Sequence, residues 1–389
     1  MKVQSHFLLA LSAIAAVAFI AATAFAEDHD FRDRHHHYLI ANNDNSQANS
    51  ASFYKVGDDG SLTEAAVVPT AGLGLDGIGA VVTRRVNVLA DERDDCAFVS
   101  NGGSRTIAAI SIRELKLIGT FSGSVNEVSS QFNIGLANNG RFLYASFAAS
   151  KTLATFRILP GCKLRFLRDV PAVGLNGGEM LSMAVHRDIL VGSFDDGSIG
   201  SFNLRHGVPV SNGDLETTTA HAEDSNPIGG VDISADGHFA VVGNVFNPLV
   251  EVSDISSGKL TPTVVYRNIG TGSDTNFVSF SPNGKWLYIG NFFSGQVTAA
   301  LFNRLTGEVS GGCTSNFLSG VNFTSEIATA TQHGTGSTLY VSEADRNIGI
   351  VDIDVNAGSC SLSEQMGSPV NDPNTETLES IASFPPRAF

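Results

Sequence analysis

Carboxylate and amide side chains recur along this chain at intervals of about 50 residues, so distant parts of the sequence could contribute to one site. The repeated position is occupied by Asp76, Glu127, Glu179, Pro227, Asn276, Glu326 and Thr377. Converging carboxylates would raise one another's pKa and favour a divalent cation or an ordered water network, although a solvated rim without a ligand would look the same in sequence. The candidate ligand-binding funnel therefore comprises Asp76, Glu127, Glu179, Asn276 and Glu326.

Hydrolysis or isomerisation by paired carboxylates is a further possibility, and Glu127, Glu179 and Glu326 are its candidate catalytic residues. His186 follows the third copy and could serve as a general base near Glu179, unless it is only a histidine in a turn. No GxSxG, HExxH, P-loop or EF-hand pattern occurs in the sequence. We therefore assign no metal site and no cofactor, apart from a possible divalent cation at the mouth of the funnel.

The elements that would position these residues are short strands that repeat at the same interval. Seven runs rich in β-branched and aromatic residues begin at positions 38 (YLIA), 97 (AFVS), 143 (LYAS), 189 (ILVG), 240 (AVVG), 287 (LYIG) and 339 (LYVS). A polar or Gly-rich turn and a second apolar segment follow each run. The pattern predicts an all-β fold, a seven-bladed β-propeller of four-stranded blades.

We expect an inner strand to begin at each of the seven repeated positions named above. Three residues further on, every copy has a small side chain, as strands converging on a central channel would require: Gly79, Ser130, Ser182, Gly230, Ser279, Thr329 and Ser380. The last copy, from Thr377 to Phe384, has no strand after it, whereas the run at Tyr38 has no inner strand before it. We expect the C-terminal strand to complete the N-terminal blade, which closes the ring over residues 38–389 and removes two exposed edges.

The N-terminal segment has the features of a secretory signal peptide, with Lys2, an apolar run and a small-residue cleavage site after Ala26. Residues 27–37 form a His/Asp-rich extension that we expect to be flexible. Loss of residues 1–26 changes the formal net charge from −15 to −16, which disfavours nucleic acid and anionic lipid as partners. We predict a secreted or periplasmic protein, monomeric and without a membrane span in its mature chain.

Four cysteines are consistent with an oxidising compartment, and they allow three connectivities or free buried thiols. Cys96 opens a predicted strand, and Cys162 follows a hairpin of the next blade. Cys313 and Cys360 follow equivalent hairpins of two consecutive blades. Because each bridge would then close a loop of about one repeat, we expect the pairs Cys96–Cys162 and Cys313–Cys360.

Three motifs make the chain resemble the lactonase-type seven-bladed propellers, a group with bacterial 6-phosphogluconolactonases and fungal carboxymuconate cyclases that shades into YVTN-type propellers. They are residues 38–44 (YLIANND), Gly-x-Leu-Thr hairpins such as residues 60–63, and residues 280–290 (FSPNGKWLYIG). Active members of the group tend to have a His before the inner-strand motif and an acidic turn after the next strand. Here those positions hold Thr275-Asn276 and residues 291–295 (NFFSG), so the resemblance transfers no catalytic residue.

Two function classes follow from the sequence. The first is a non-catalytic exported propeller that binds a small molecule or a protein partner at its top face. The second is a lactone hydrolase or a carboxymuconate cyclase-like enzyme that acts on a small lactone or organic acid in the same funnel. An enzyme would need an Arg or His facing the carboxylates, and the candidates are His186, Arg267 and Arg346.

Overall fold

The computed structural model describes residues 37–75, 86, 88–123, 134–270, 272, 274–316, 318–319, 324–330, 338–343, 346–356, 359–376, 378 and 380–385. The predicted signal peptide (1–26) lies outside these residues, as does all of the His/Asp-rich extension except His37. Within them, strands form seven antiparallel sheets, each of which is one blade. No helix in the described part of the chain is long and apolar enough to cross a membrane.

Every blade has an inner strand followed by a second strand that pairs with it. The inner strands are β4 (Val88–Asp91), β8 (Gly135–Asn138), β12 (Met180–His186), β17 (Ile228–Ile233), β21 (Phe277–Phe280), β25 (Thr324–Ala330) and β30 (Ile381–Phe384). The second strands are β1 (Tyr38–Asn42), β5 (Cys96–Asn101), β9 (Phe142–Phe147), β13 (Ile189–Phe194), β18 (Phe239–Asn244), β22 (Trp286–Asn291) and β26 (Thr338–Glu343).

The third and outermost strands complete the blades. The third strands are β2 (Ser50–Val56), β6 (Thr106–Ser111), β10 (Thr152–Leu159), β14 (Ser198–Asn203), β19 (Leu249–Asp254), β23 (Gln296–Phe302) and β27 (Asn347–Asn356). The outermost strands are β3 (Leu62–Pro69), β7 (Lys116–Ser122), β11 (Lys163–Pro171), β15 (Val210–Ser211) with β16 (Glu216–Thr217), β20 (Val264–Arg267), β24 (Val309–Thr314), and β28 (Ser359–Glu364) with β29 (Val370–Asn371). Helix α1 (Thr219–Asp224) connects the fourth and fifth blades.

The core lies between neighbouring blades, because each sheet packs its apolar side chains against the next sheet. Phe98 of β5, for example, shares a buried cluster with Leu143 of β9 and Phe156 of β10. A corresponding cluster joins Leu39 in the first blade to Tyr340 in the seventh. This succession of interfaces makes the ring continuous across the chain ends.

The ring closes as the sequence predicted. Strand β30 pairs antiparallel with β1, from Tyr38 opposite Phe384 to Ala41 opposite Ile381. The backbone N–H of Asn42 also donates to the carbonyl of Ser380 at 3.1 Å. The first blade therefore takes its inner strand from the C-terminus and its other three strands from the N-terminus.

The inner-strand register predicted from equal intervals is wrong in part. Strands β12, β17 and β21 begin one residue after Glu179, Pro227 and Asn276 as expected, but β4 and β8 begin at Val88 and Gly135, well after Asp76 and Glu127. The difference lies in the spacing of the strands along the sequence, since residues 70–87 lie between β3 and β4, whereas only residues 172–179 lie between β11 and β12. Connections vary in length more than strands do, so a fixed interval misplaced the segments that follow the longest ones.

Antiparallel pairing defines two faces of the propeller. Connections between blades and the turns from second to third strands lie on one side, which we call the top face. The turns from inner to second strands and from third to outermost strands lie on the other side, the bottom face. An inner strand thus begins at the top face and ends at the bottom face.

Both predicted disulfides are present, with Cα–Cα distances of 5.5 Å for Cys96–Cys162 and 5.6 Å for Cys313–Cys360. Each connects adjacent blades. Cys96 and Cys162 are fully buried, whereas Cys313 and Cys360 are half-buried. Two disulfides agree with an oxidising, extracellular type of compartment.

Reducing agent should act on the two disulfides in a fixed order, because exchange requires a thiolate to reach the sulfur. We expect Cys313 and Cys360 to be alkylated first under native conditions, and Cys96 and Cys162 only after unfolding. Mass spectrometry after timed reduction and alkylation measures this order. Simultaneous modification of all four cysteines in folded protein would contradict it.

Deleting residues 375–389 removes β30 and leaves the inner edge of β1 unpaired, so we expect aggregation or loss of the cooperative thermal transition. Deletion of residues 386–389 alone is the matched control, since it spares β30, and it should melt like the full chain. Calorimetry of the three proteins checks the prediction. A longer deletion that melts like the full chain would disprove closure by β30.

Candidate functional site

Two residues of the predicted funnel are described at the top face. The backbone of Glu179 is held by Asp195, whose carboxylate accepts the Glu179 N–H at 2.7 Å and whose N–H donates to the Glu179 carbonyl at 3.0 Å. Asn276 is buried, and its carbonyl accepts the N–H of Gly230 in the preceding blade at 2.7 Å. The backbone of Asn276 therefore links two inner strands.

Asp76 and Glu127 lie outside the described residues, and only the backbone of Glu326 is described, within β25. Convergence of the four carboxylates stays a prediction. Among the described residues, no group of three or more His, Cys, Asp or Glu side chains is arranged to hold a metal ion.

The proposed acid–base pairing of Glu179 with His186 is not formed. Glu179 precedes β12 at the top face, and His186 ends the same strand at the bottom face. Seven residues of extended chain separate them by roughly 23 Å. Arg267 does lie near the top face, but its guanidinium is paired with Glu223. Neither residue faces Glu179 as a proton shuttle or substrate anchor would.

The most exposed aromatic feature of the top face is a stacked pair of phenylalanines. Phe246 and Phe293 are 52% and 47% exposed, their ring centroids are 5.5 Å apart, and their planes differ by 15°. Each lies in a turn between a second and a third strand, in the fifth and sixth blades. Two large apolar rings held in solvent forgo the stabilisation that burial would give them.

Hydrogen bonds to the backbone fix both aromatic turns. The N–H of Phe246 donates to the side-chain oxygen of Asn244 at 3.1 Å. Asp274, which is completely buried, accepts the N–H of Phe292 at 2.8 Å and that of Phe293 at 3.2 Å through its two carboxylate oxygens. The rings are therefore presented by constrained turns rather than by loose loops.

Further apolar side chains are exposed on the same face. Val173, Leu175 and Leu73 belong to connections between blades and are 40–49% exposed. Leu175 projects from the tight hairpin that leads to Glu179, where Asp196 accepts the N–H groups of Asn176 and Gly178 at 2.7 and 3.0 Å. Apolar side chains and acidic groups thus alternate on this surface.

Helix α1 packs beside the turn that carries Phe246. The amide of Asn247 donates to the carboxylate of Asp224 at the end of the helix, at 2.7 Å. At the beginning of the helix, Thr218 uses its hydroxyl to bond Gly197 and does not cap the helix with its side chain. Glu251 takes this capping role instead, because its carboxylate hydrogen-bonds with the backbone of Ala220.

Glu251 is a buried carboxylate beneath this face, with only 1% of its surface exposed. Burial raises its pKa above the ordinary value, and a hydrogen bond from Thr263 at 2.7 Å offsets this only in part. Burial, followed by the charges of Asp214 and Glu251, also raises the pKa of Glu216.

Comparison with known proteins supports the fold. No protein-family model matches the sequence, and no curated protein matches it. A solved structure from Bacteroides fragilis described as a "putative 6-phosphogluconolactonase" superposes with a TM-score of 0.66 at 13% identity, covering 89% of this chain and 98% of that one. The chain has the lactonase-like seven-bladed propeller fold.

Two other solved structures agree with this assignment. A second "putative 6-phosphogluconolactonase", from Bacteroides uniformis, has a TM-score of 0.64 at 12% identity and covers 90% of this chain and 99% of its own. A protein from Lactobacillus plantarum has a TM-score of 0.66 at 13% identity with the same coverages. At such identities the similarity concerns the fold and not the reaction.

The sequence analysis missed the aromatic pair. The location of these phenylalanines in the sequence was the available signal. Residues 245–248 (VFNP) and 292–295 (FFSG) each place phenylalanine in a turn between two predicted strands. Position alone does not separate the exposed rings from their neighbours, because Val245 and Phe292 in the same turns are buried.

The raised pKa of Glu251 predicts a pH effect with a defined sign. A carboxyl whose pKa is higher in the folded state stabilises the fold below its unfolded pKa, and this stabilisation is lost as pH rises through the folded pKa. Between pH 4.5 and pH 7, the wild type should therefore lose more unfolding free energy than Glu251→Gln, which cannot ionise. Urea titrations across this range measure the difference, with the exposed Glu114→Gln as control. Parallel pH profiles for wild type and Glu251→Gln would contradict the prediction.

Proposed function

We propose that this protein is an exported, non-catalytic propeller that binds a small ligand or a protein partner through its top face. The carrying observation is the exposed Phe246–Phe293 stack, which is held in place by Asn244 and the buried Asp274. Rigid aromatic side chains lose little conformational entropy on binding, and such residues dominate binding energy in many interfaces.

The surroundings of the stack favour a ligand with both apolar and cationic or hydrogen-donating groups. Glu179 and Asp195 belong to the top face, as do the exposed Val173 and Leu175. A negatively charged protein also attracts cationic groups over longer distances, which increases the rate of encounter. An apolar group against the exposed faces of the stacked rings and a cation at the acidic rim would use both features.

The absence of an acid–base pair at the described part of this face supports binding over catalysis. Glu179 and His186 lie at opposite ends of β12, and Arg267 is paired with Glu223. The signal peptide predicted for residues 1–26 and the two disulfides support an exported location. Export would separate the protein from phosphorylated sugar substrates of the cytosol.

A lactonase- or cyclase-like enzyme is the second candidate, favoured by the two similar structures that carry the phosphogluconolactonase designation. A panel of unphosphorylated lactones separates the two functions. We expect no turnover. Hydrolysis that is abolished by Glu179→Gln but retained by Glu114→Gln would overturn the non-catalytic assignment.

Photo-crosslinking from the stack tests the binding function directly. A benzoylphenylalanine at position 293 should give a discrete mass shift when the protein is exposed to its native extracytoplasmic fluid, whether the ligand is small or a protein. The same group at Leu305, which is exposed on the bottom face, is the control. Phe246→Ser should weaken capture by at least about tenfold, as expected for a central aromatic contact. Equal adducts from both positions would contradict a top-face site.

A further inference from the structure

The bottom face contains a cavity that belongs to neither function class. Four turns of the fourth and fifth blades line a cavity of about 360 Å³ that is open to solvent, a volume within the range of small-molecule sites. The fourth blade contributes residues 186–189 together with Asn203 and Arg205, and the fifth contributes residues 236–238 together with Ile255, Ser256 and Gly258. The cavity therefore spans an interface between blades.

Its deepest polar group is His186, which is only 5% exposed. The imidazole packs directly against the turn of the next blade, since a Cβ on Gly237 would lie 2.4 Å from its Cδ2 atom. Gly237 has a φ of +76°, which other residues adopt at a cost. Glycine at this position thus lets the imidazole and the turn share one wall of the cavity.

Two arginines and two aspartates line the cavity, and they differ in their ion-pair partners. Arg187 and Arg205 both line it. Among the described residues, no carboxylate oxygen lies within 4.0 Å of a guanidinium nitrogen of either arginine. Asp236 also lines it, but this carboxylate lies 3.6 Å from Arg304 and accepts the Ser234 hydroxyl at 2.7 Å. Asp188 is the remaining acid, and it is exposed at the rim.

Apolar surface accompanies these cations. Ile189 is half-buried and Ile255 is 2% exposed, and both line the cavity. A bare inorganic anion would satisfy the guanidinium groups but leave the accessible part of Ile189 uncovered. A carboxylate attached to a short apolar body would satisfy both.

We infer that this cavity is a binding site for a small organic anion, held through Arg187 and Arg205 with its apolar body against Ile189 and Ile255. The two arginines supply planar, permanently charged donors that match a carboxylate. The site is independent of the proposed top-face function, because it lies at the other end of the strands.

Saturation-transfer NMR with benzoate as the probe tests this site on the full mature chain. Benzoate should give a signal, and benzyl alcohol, which has the ring without the charge, should give none. Arg187→Gln and Arg205→Gln should each weaken binding by about tenfold, as for the loss of a charge-assisted hydrogen bond, and the double variant should abolish it. Both side chains are exposed, so the variants should keep the wild-type melting temperature.

Matched controls locate the effect. Arg165→Gln removes the same charge from the exposed surface of β11 and should bind benzoate like the wild type, as should Phe246→Ser on the top face. Unchanged binding by the double variant, or no benzoate signal from the wild type, would overturn the site. Inorganic phosphate that displaces benzoate at equal concentration would overturn its preference for an organic anion.

Discussion

The pairing of β1 with β30 is the constraint on which the rest of this structure depends. Sheets have edges with unpaired N–H and C=O groups, and a circle of blades remains open unless one blade joins both ends of the chain. The four residue pairs from Tyr38–Phe384 to Ala41–Ile381 provide that closure. Once the circle is closed, each blade must pack against two neighbours. The tilt and radial position of one blade then depend on those of the others.

The inner edges of the blades show how closely this constraint is met. Strands converge at the channel, where each exposes one row of backbone groups that no further strand can bond. Neighbouring blades supply the partners, as when Asp232 accepts the N–H of Phe280 at 2.8 Å and Ser182 accepts that of Val231 at 3.2 Å. Small and polar side chains on the inner strands therefore satisfy backbone hydrogen-bonding groups of the ring, independently of any ligand.

The sequence predicted the features that recur in every blade and missed those that belong to single turns or depend on unequal spacing of the strands. Second and third strands are buried on both faces, so runs such as residues 287–290 (LYIG) carry a strong apolar signal in every blade. The disulfides were predictable because Cys313 and Cys360 occupy equivalent hairpins. Asp76 and Glu127 gave the wrong register, because more residues separate β3 from β4 and β7 from β8 than separate β11 from β12. Phe246 and Arg205 belong to turns, where no periodic burial marks a residue, and their neighbours come from another blade.

The thickness of the disk separates the chemistry of its two faces. A strand of six or seven residues spans about 20 Å, so side chains at its two ends cannot share one small ligand. His186 and Glu179 illustrate this, since one sequence segment places a base at the bottom and an acid at the top. An enzyme of this fold must collect its groups from several blades at one face. The Phe246–Phe293 stack lies at the top face, and the cavity lined by Arg187 and Arg205 lies at the bottom face. Sites this far apart, with no side chain in common, should respond additively to mutation. A propeller can therefore acquire one function on a face while the opposite face stays free for another.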